Sequence, residues 1–68
     1  MKLYISFDDS QMTFHLPKGI SKENIEQSFR NELSTSSLFL EIVENGKSYF
    51  INKNKITMLY VEEENDDK

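Results

Sequence analysis

The segment from Leu38 to Val61, LFLEIVENGKSYFINKNKITMLYV, concentrates the apolar and β-forming residues of the chain. It contains Asn45-Gly46, a dipeptide typical of type I′ turns, in which both central residues take positive φ. A two-residue turn at this position sets the register of the flanking strands, so that Ile42 faces Tyr49. The segment therefore predicts a β-hairpin followed by one further strand.

This register gives the predicted hairpin two apolar faces. The face expected to form the core carries Leu38, Leu40, Ile42, Tyr49 and Ile51. The opposite face carries Phe39, Val43 and Phe50. No glycine marks the next turn. A two-residue turn on Lys53-Asn54 would place Ile56, Met58 and Tyr60 on the core face and Leu59 and Val61 beside Phe50. A one-residue slip would exchange these two sets, because side chains alternate along a strand.

Upstream, the chain predicts a second hairpin. Apolar and polar residues alternate from Lys2 to Phe7 and again from Gln11 to Leu16, which is the period of a half-buried strand. The polar residues Asp8, Asp9 and Ser10 between these two segments favour a tight turn. Pro17 and Gly19 then end the second strand, since proline cannot donate a backbone hydrogen bond to a sheet.

A single helix is predicted next, from about Lys22 to Leu33. Ser21 is a suitable N-cap, because its hydroxyl can accept a hydrogen bond from the first turn of the helix. The apolar residues Ile25 and Phe29 recur at a spacing of four and continue to Leu33, so they form a narrow stripe that suits packing on one sheet.

The resulting order of elements is ββαβββ, an α+β fold. We expect a single domain over residues 1–61, built as a single sheet with one helix packed on one face. Residues 62–68, EEENDDK, contain no apolar side chain and are expected to form an acidic disordered tail.

The first 33 residues, MKLYISFDDSQMTFHLPKGISKENIEQSFRNEL, resemble the start of a ubiquitin-like β-grasp domain in the order of their elements. The resemblance implies that the first strand pairs in parallel with the last, placing residues 3–7 beside residues 56–61. The second half differs, because no loop with a short helix precedes the last strand. An antiparallel meander is therefore the alternative arrangement. The sequence has no Gly-Gly tail, which argues against a role as a conjugated modifier or sulfur carrier.

Composition excludes several classes of function. The chain has 68 residues, no cysteine and a net charge of −4, so disulfides and thiolate zinc sites are excluded and nucleic-acid binding is disfavoured. Its apolar runs are far shorter than the ~20 residues that span a bilayer, and the N-terminus lacks the apolar region of a signal peptide. We expect a cytoplasmic protein without a membrane segment.

No grouping of residues predicts catalysis, a cofactor or a bound metal. His15 is the only histidine and has no evident acid or base partner, which general acid–base catalysis requires. Asp8 and Asp9 supply too few oxygen ligands for calcium and fit a turn better. The sequence therefore predicts a protein that is not an enzyme.

The most informative feature is the apolar sheet face that points away from the helix. It is predicted to carry Tyr4, Phe39, Val43, Phe50, Leu59 and Val61. So large an apolar surface is unusual on a small monomer, and it indicates contact with a protein partner or a second copy in a homodimer. The alternative function is single-stranded nucleic-acid binding, with Phe50 and Tyr49 stacking on bases and Lys47, Lys53 and Lys55 nearby.

Overall fold

The computed structural model describes residues 1–63, and the order of their elements is the predicted ββαβββ. The bounds are β1 Lys2–Ser6, β2 Gln11–His15, α1 Lys22–Ser34, β3 Phe39–Glu44, β4 Lys47–Asn52, a 3-10 turn Lys53–Lys55 and β5 Met58–Glu62. The α+β class is confirmed. Strand β5 includes Glu62, one residue of the segment predicted as an acidic tail, and residues 64–68 of that segment lie outside the described residues.

The hairpin of β3 and β4 forms as the sequence predicts. Asn45 and Gly46 take φ values of 52° and 77°, the positive values that a type I′ turn needs. The pairing places Ile42 opposite Tyr49 and continues without a break to the ends of both strands. Its inner face is buried through Leu40, Ile42 and Ile51, whereas Leu38, which precedes β3, is exposed.

The strands form two sheets, so the expectation of a single sheet was wrong. One sheet has the order β2-β1-β5, and the other consists of β3 and β4. In the first sheet β1 lies in the centre and runs antiparallel to both neighbours. The last strand does lie beside the first, as the β-grasp resemblance implies, but antiparallel rather than parallel to it. A continuous meander is also not formed, because β5 pairs with β1 and not with β4.

The connection between β4 and β5 explains why β5 leaves the hairpin and joins the other sheet. A 3-10 turn replaces the predicted two-residue turn: Asn54 N–H donates to the Asn52 side chain at 2.9 Å, and Ile56 N–H donates to Lys53 O at 3.3 Å. The chain then leaves β4 and joins β1, where Thr57 N–H donates to Ser6 O at 2.9 Å. This detour shifts the alternation of β5 by one residue relative to the predicted hairpin.

Helix α1 begins one residue after Ser21, the predicted N-cap, whose hydroxyl accepts from Asn24 N–H at 3.2 Å. Its last turn contains no basic residue. Instead, the Lys53 ammonium from the 3-10 turn donates to Glu32 O and, at 2.9 Å, to Thr35 Oγ1. A cation at this position complements the negative end of the helix dipole.

Both sheets and the helix contribute to one hydrophobic core. Its buried residues are Leu3, Ile5, Phe14, Ile25, Leu40, Ile42, Ile51 and Val61. The two sheets also make direct contacts. The ring of Phe14 in β2 meets Tyr49 in β4 edge to face, with centroids 5.1 Å apart. Glu44 Oε2 accepts a hydrogen bond of 2.7 Å from His15 N–H. The core thus leaves each sheet with one outward-facing side.

Candidate protein-interaction surface

The outward side of the β3–β4 hairpin carries three of the predicted interface residues. We call Phe39, Val43 and Phe50 the hairpin face. Their side chains are 48%, 57% and 64% exposed, whereas Leu40, next to Phe39 in sequence, is completely buried. This contrast arises because successive residues of a strand point to opposite sides of the sheet.

The register places the three side chains of the hairpin face close to one another. Phe50 lies directly opposite Glu41, the residue midway between Phe39 and Val43 in β3. Each of the two is therefore a diagonal neighbour of Phe50, at a distance of about 7–8 Å that aromatic side chains can bridge. Glu41 lies among them and adds one carboxylate to an otherwise apolar patch.

The other three predicted interface residues do not join this patch. Val61 is only 6% exposed and belongs to the core, and Leu59 packs against that core. The prediction that both lie beside Phe50 was wrong, because the 3-10 turn reverses the alternation of β5. Tyr4 lies on the outward side of the three-stranded sheet, opposite Tyr60. The six residues thus occupy three separate places.

Tyr4 and Tyr60 form an aromatic pair on the outward side of the three-stranded sheet. Their ring centroids are 4.8 Å apart and the planes differ by 17°, a stacked arrangement. Burial raises the pKa of the Tyr4 phenol above its usual 10.0, and Glu62 raises this pKa further through a hydrogen bond and its negative charge. This pair lies across the sheet from the core.

A groove runs between α1 and β5. The side chains that line it are Glu26, Phe29, Arg30, Leu33, Leu59, Tyr60 and Val61. Leu33, the last residue of the predicted apolar helix stripe, is exposed here instead of buried. The helix stripe therefore reaches beyond the core and forms an apolar wall along the strand.

The residues proposed for nucleic-acid stacking are not brought together. Tyr49 lies on the inner side of the hairpin against Phe14, whereas Phe50 lies on the outer side. The Lys53 ammonium is engaged at the end of α1. Phe50 and Tyr49 cannot stack on successive bases from opposite sides of one sheet.

The described residues contain no cluster of three or more histidine, cysteine, aspartate or glutamate side chains that could hold a metal ion. His15 lies in β2, and its backbone N–H, not its imidazole, makes the contact with Glu44. Asp8 and Asp9 lie in the turn between β1 and β2, as predicted.

Sequence reasoning missed Tyr60 and Leu33 as surface residues. The predicted turn on Lys53-Asn54 places Tyr60 on the core face, and the apolar helix stripe places Leu33 there. A signal for Tyr60 was present, since the one-residue slip considered for this strand places it outward. The sequence held no comparable signal for Leu33, because its exposure depends on where the sheet ends beneath the helix.

No protein-family model, curated protein or solved structure matches this chain. Over residues 1–63, no helix combines the length and the apolar character needed to cross a membrane.

Proposed function

We propose that this protein is a small non-enzymatic interaction module that binds a protein partner, either another protein or a second copy, through the hairpin face. One observation supports this most strongly: Phe39, Val43 and Phe50 share a face and are each about half exposed or more, while the opposite face of the same two strands is core. Apolar patches of this kind on a small protein commonly mark interaction sites.

The chemistry of the hairpin face favours a partner with an apolar surface. Aromatic side chains supply much of the binding energy in protein interfaces, because each buries a large area while only a few torsion angles become fixed. Phe39 and Phe50 are diagonal neighbours, so both can enter one apolar depression. Glu41, which lies opposite Phe50 and between Phe39 and Val43, favours a partner that also offers a hydrogen-bond donor or a cation.

Site-specific photo-crosslinking tests this proposal. Benzoylphenylalanine is placed at position 50 of the full chain. The matched control carries it at position 27, an exposed position of helix α1. In the cells that make the protein, we expect a discrete adduct from position 50 that disappears when Val43→Lys is added. The chain identified in the adduct should then bind the purified protein at least about tenfold more weakly after Phe50→Ala. Equal adducts from positions 50 and 27, or an adduct that survives Val43→Lys, would contradict the proposal.

A further inference from the structure

The outer edge of β5 carries backbone groups that point away from the sheet. Within residues 1–63, β5 pairs with β1 and has no strand on its other side. Phe7 N–H donates to Ser10 O at 2.8 Å, so the odd-numbered positions of β1 bond to the β2 side. The even-numbered residues therefore bond to the even-numbered residues of β5 that they face. By this alternation, the backbone N–H and C=O groups of Leu59 and Val61 point to the open edge.

We propose that this edge pairs with β5 of a second copy of the chain, antiparallel about a two-fold axis at Tyr60. In this register Leu59 of one copy lies opposite Val61 of the other, and each such pair exchanges both of its backbone hydrogen bonds. The two three-stranded sheets then become one continuous sheet in the order β2-β1-β5-β5-β1-β2. Pairing of this kind satisfies an edge that would otherwise be open to other strands.

The side chains along β5 match themselves in this register. On the inner side, Leu59 meets Val61 of the second copy, and Leu33 of α1 extends the apolar contact along the groove. On the outer side, the two Tyr60 rings face each other, each already stacked on Tyr4 of its own chain at 4.8 Å. The two pairs form one aromatic row across the new sheet. Aromatic cross-strand pairs stabilise such sheets.

The charges at the groove are self-complementary as well. Glu26 and Arg30 lie one helical turn apart at the groove, beside β5. A two-fold axis that makes the β5 strands antiparallel also makes the two α1 helices antiparallel. Glu26 of one helix then approaches Arg30 of the other, and the reverse contact forms by symmetry. In the strands, Glu62 lies opposite Met58 of the second copy, so no like charges oppose each other.

The proposed edge contact goes beyond the hairpin-face function, because it is a second site on a different sheet with a defined occupant. Light scattering of the full chain from about 1 μM to about 1 mM tests it, a range that covers weak homodimers. We expect the mass to rise from 8.0 kDa towards twice that value. Tyr60→Lys, which places two ammonium groups at the two-fold axis, should remain monomeric throughout. Val43→Lys leaves the edge of β5 intact and should still form this dimer.

Two results would overturn the edge contact. An unsubstituted chain that stays monomeric over the whole range would overturn the edge contact. Dimers lost with Val43→Lys but retained with Tyr60→Lys would also overturn it, and would instead support self-association through the hairpin face. Failure of the hairpin-face proposal in the crosslinking experiment leaves the mass of the unsubstituted chain unchanged, so the two proposals fail separately.

A backbone variant separates strand pairing from any effect on folding. The full chain is assembled synthetically with an N-methyl group on Leu59, which removes one edge donor and keeps every side chain. The matched control carries the N-methyl group on Thr13, whose N–H points to the open edge of β2 by the same alternation. Circular dichroism should show that both chains fold. Only the Leu59 variant should fail to dimerise, and dimerisation of that variant at the same concentrations as the control would refute the edge contact.

Discussion

Phe39 and Leu40 are consecutive residues of β3 whose side chains have opposite surroundings. Leu40 is completely buried, and Phe39 is 48% exposed. Removal of a buried leucine side chain costs about 2–5 kcal/mol, because it removes apolar contacts and leaves a cavity. An exposed side chain contributes little to the free energy of unfolding, so Phe39 should matter much less for stability than Leu40 does.

A pair of adjacent substitutions tests this difference. Leu40→Ala should lower the free energy of unfolding by about 2–5 kcal/mol, whereas Phe39→Ala should change it by less than about 0.5 kcal/mol. The chain has no tryptophan. Urea unfolding monitored by tyrosine fluorescence or circular dichroism therefore measures the two values. A loss of similar size in both variants would mean that Phe39 belongs to the core and not to the hairpin face.

Tyr4 should make the free energy of unfolding fall as the pH becomes alkaline. Its pKa in the folded chain lies above the usual 10.0, because burial disfavours the charged phenolate and Glu62 lies nearby. The folded state therefore holds this proton more tightly than the unfolded state does. The resulting stabilisation is fully present below pH 10 and is lost as the pH rises through the folded pKa.

Unfolding measured on both sides of pH 10 tests the role of Tyr4. The free energy of unfolding of the unsubstituted chain should fall more steeply above this pH than that of Tyr4→Phe, which retains the ring stacked on Tyr60 but has no phenol to titrate. Parallel pH profiles for the two chains would show that the Tyr4 environment does not favour the neutral phenol.

At the scale of elements, the two turns of the C-terminal half show what the sequence could predict. Asn45-Gly46 specifies its turn locally, since few other dipeptides accept positive φ at both positions, and the whole β3–β4 register follows from it. The Lys53-Asn54 region has no such preference. Its 3-10 turn is stabilised in part by a long-range contact, the Lys53 ammonium on the end of α1, which local sequence does not reveal. The alternation of β5 was therefore predicted in the wrong phase.

The observed phase of β5 predicts which of its residues stabilise the fold. Val61→Ala should lower the free energy of unfolding by about 1–3 kcal/mol, because Val61 lies in the core. Met58→Ala should have little effect, since Met58 is exposed on the other side of the same strand. Thermal or urea unfolding measures both. If Met58→Ala lowered the free energy of unfolding more than Val61→Ala, Met58 would face the core, as the two-residue turn predicted from the sequence requires.

Lys53 links the 3-10 turn to the end of α1, and its removal should affect the helix. Lys53→Met keeps an unbranched side chain but deletes the ammonium that donates to Glu32 O and Thr35 Oγ1. We expect a loss of about 0.5–1.5 kcal/mol, with faster amide exchange in the last turn of α1. Lys55 is an exposed lysine of the same turn. Lys55→Met is the matched control and should change neither the free energy of unfolding nor the amide exchange of α1. Equal effects of the two substitutions would show that the Lys53 ammonium does not stabilise the end of α1.

At the scale of the whole molecule, strand alternation was more predictable than strand neighbours. The faces of β1 and β2 and of the β3–β4 hairpin follow from their own residues. That β5 joins β1 and not β4 depends on Leu59 and Val61 meeting Ile5 and Leu3 across the sheet, contacts between distant parts of the chain. The number of sheets could therefore not be predicted, and neither could the groove between α1 and β5.

The division into two sheets also shapes the candidate surfaces. Each sheet turns one side to the shared core, so the outward sides are independent of each other. The hairpin face lies on one outward side, while the Tyr4–Tyr60 pair lies on the other. The two proposed contacts lie on different sheets, so separate substitutions can test them.

Fluorine NMR of the full chain, with fluorophenylalanine at its five phenylalanine positions, tests the central claim that a partner covers the hairpin face. In dilute buffer, the signals of Phe39 and Phe50 should respond to exchange of H2O for D2O, and that of buried Phe14 should not. In the cells that make the protein, we predict that the Phe39 and Phe50 signals shift and lose this response, and that Val43→Lys restores it. Identical Phe39 and Phe50 signals in cells and in buffer would contradict the claim.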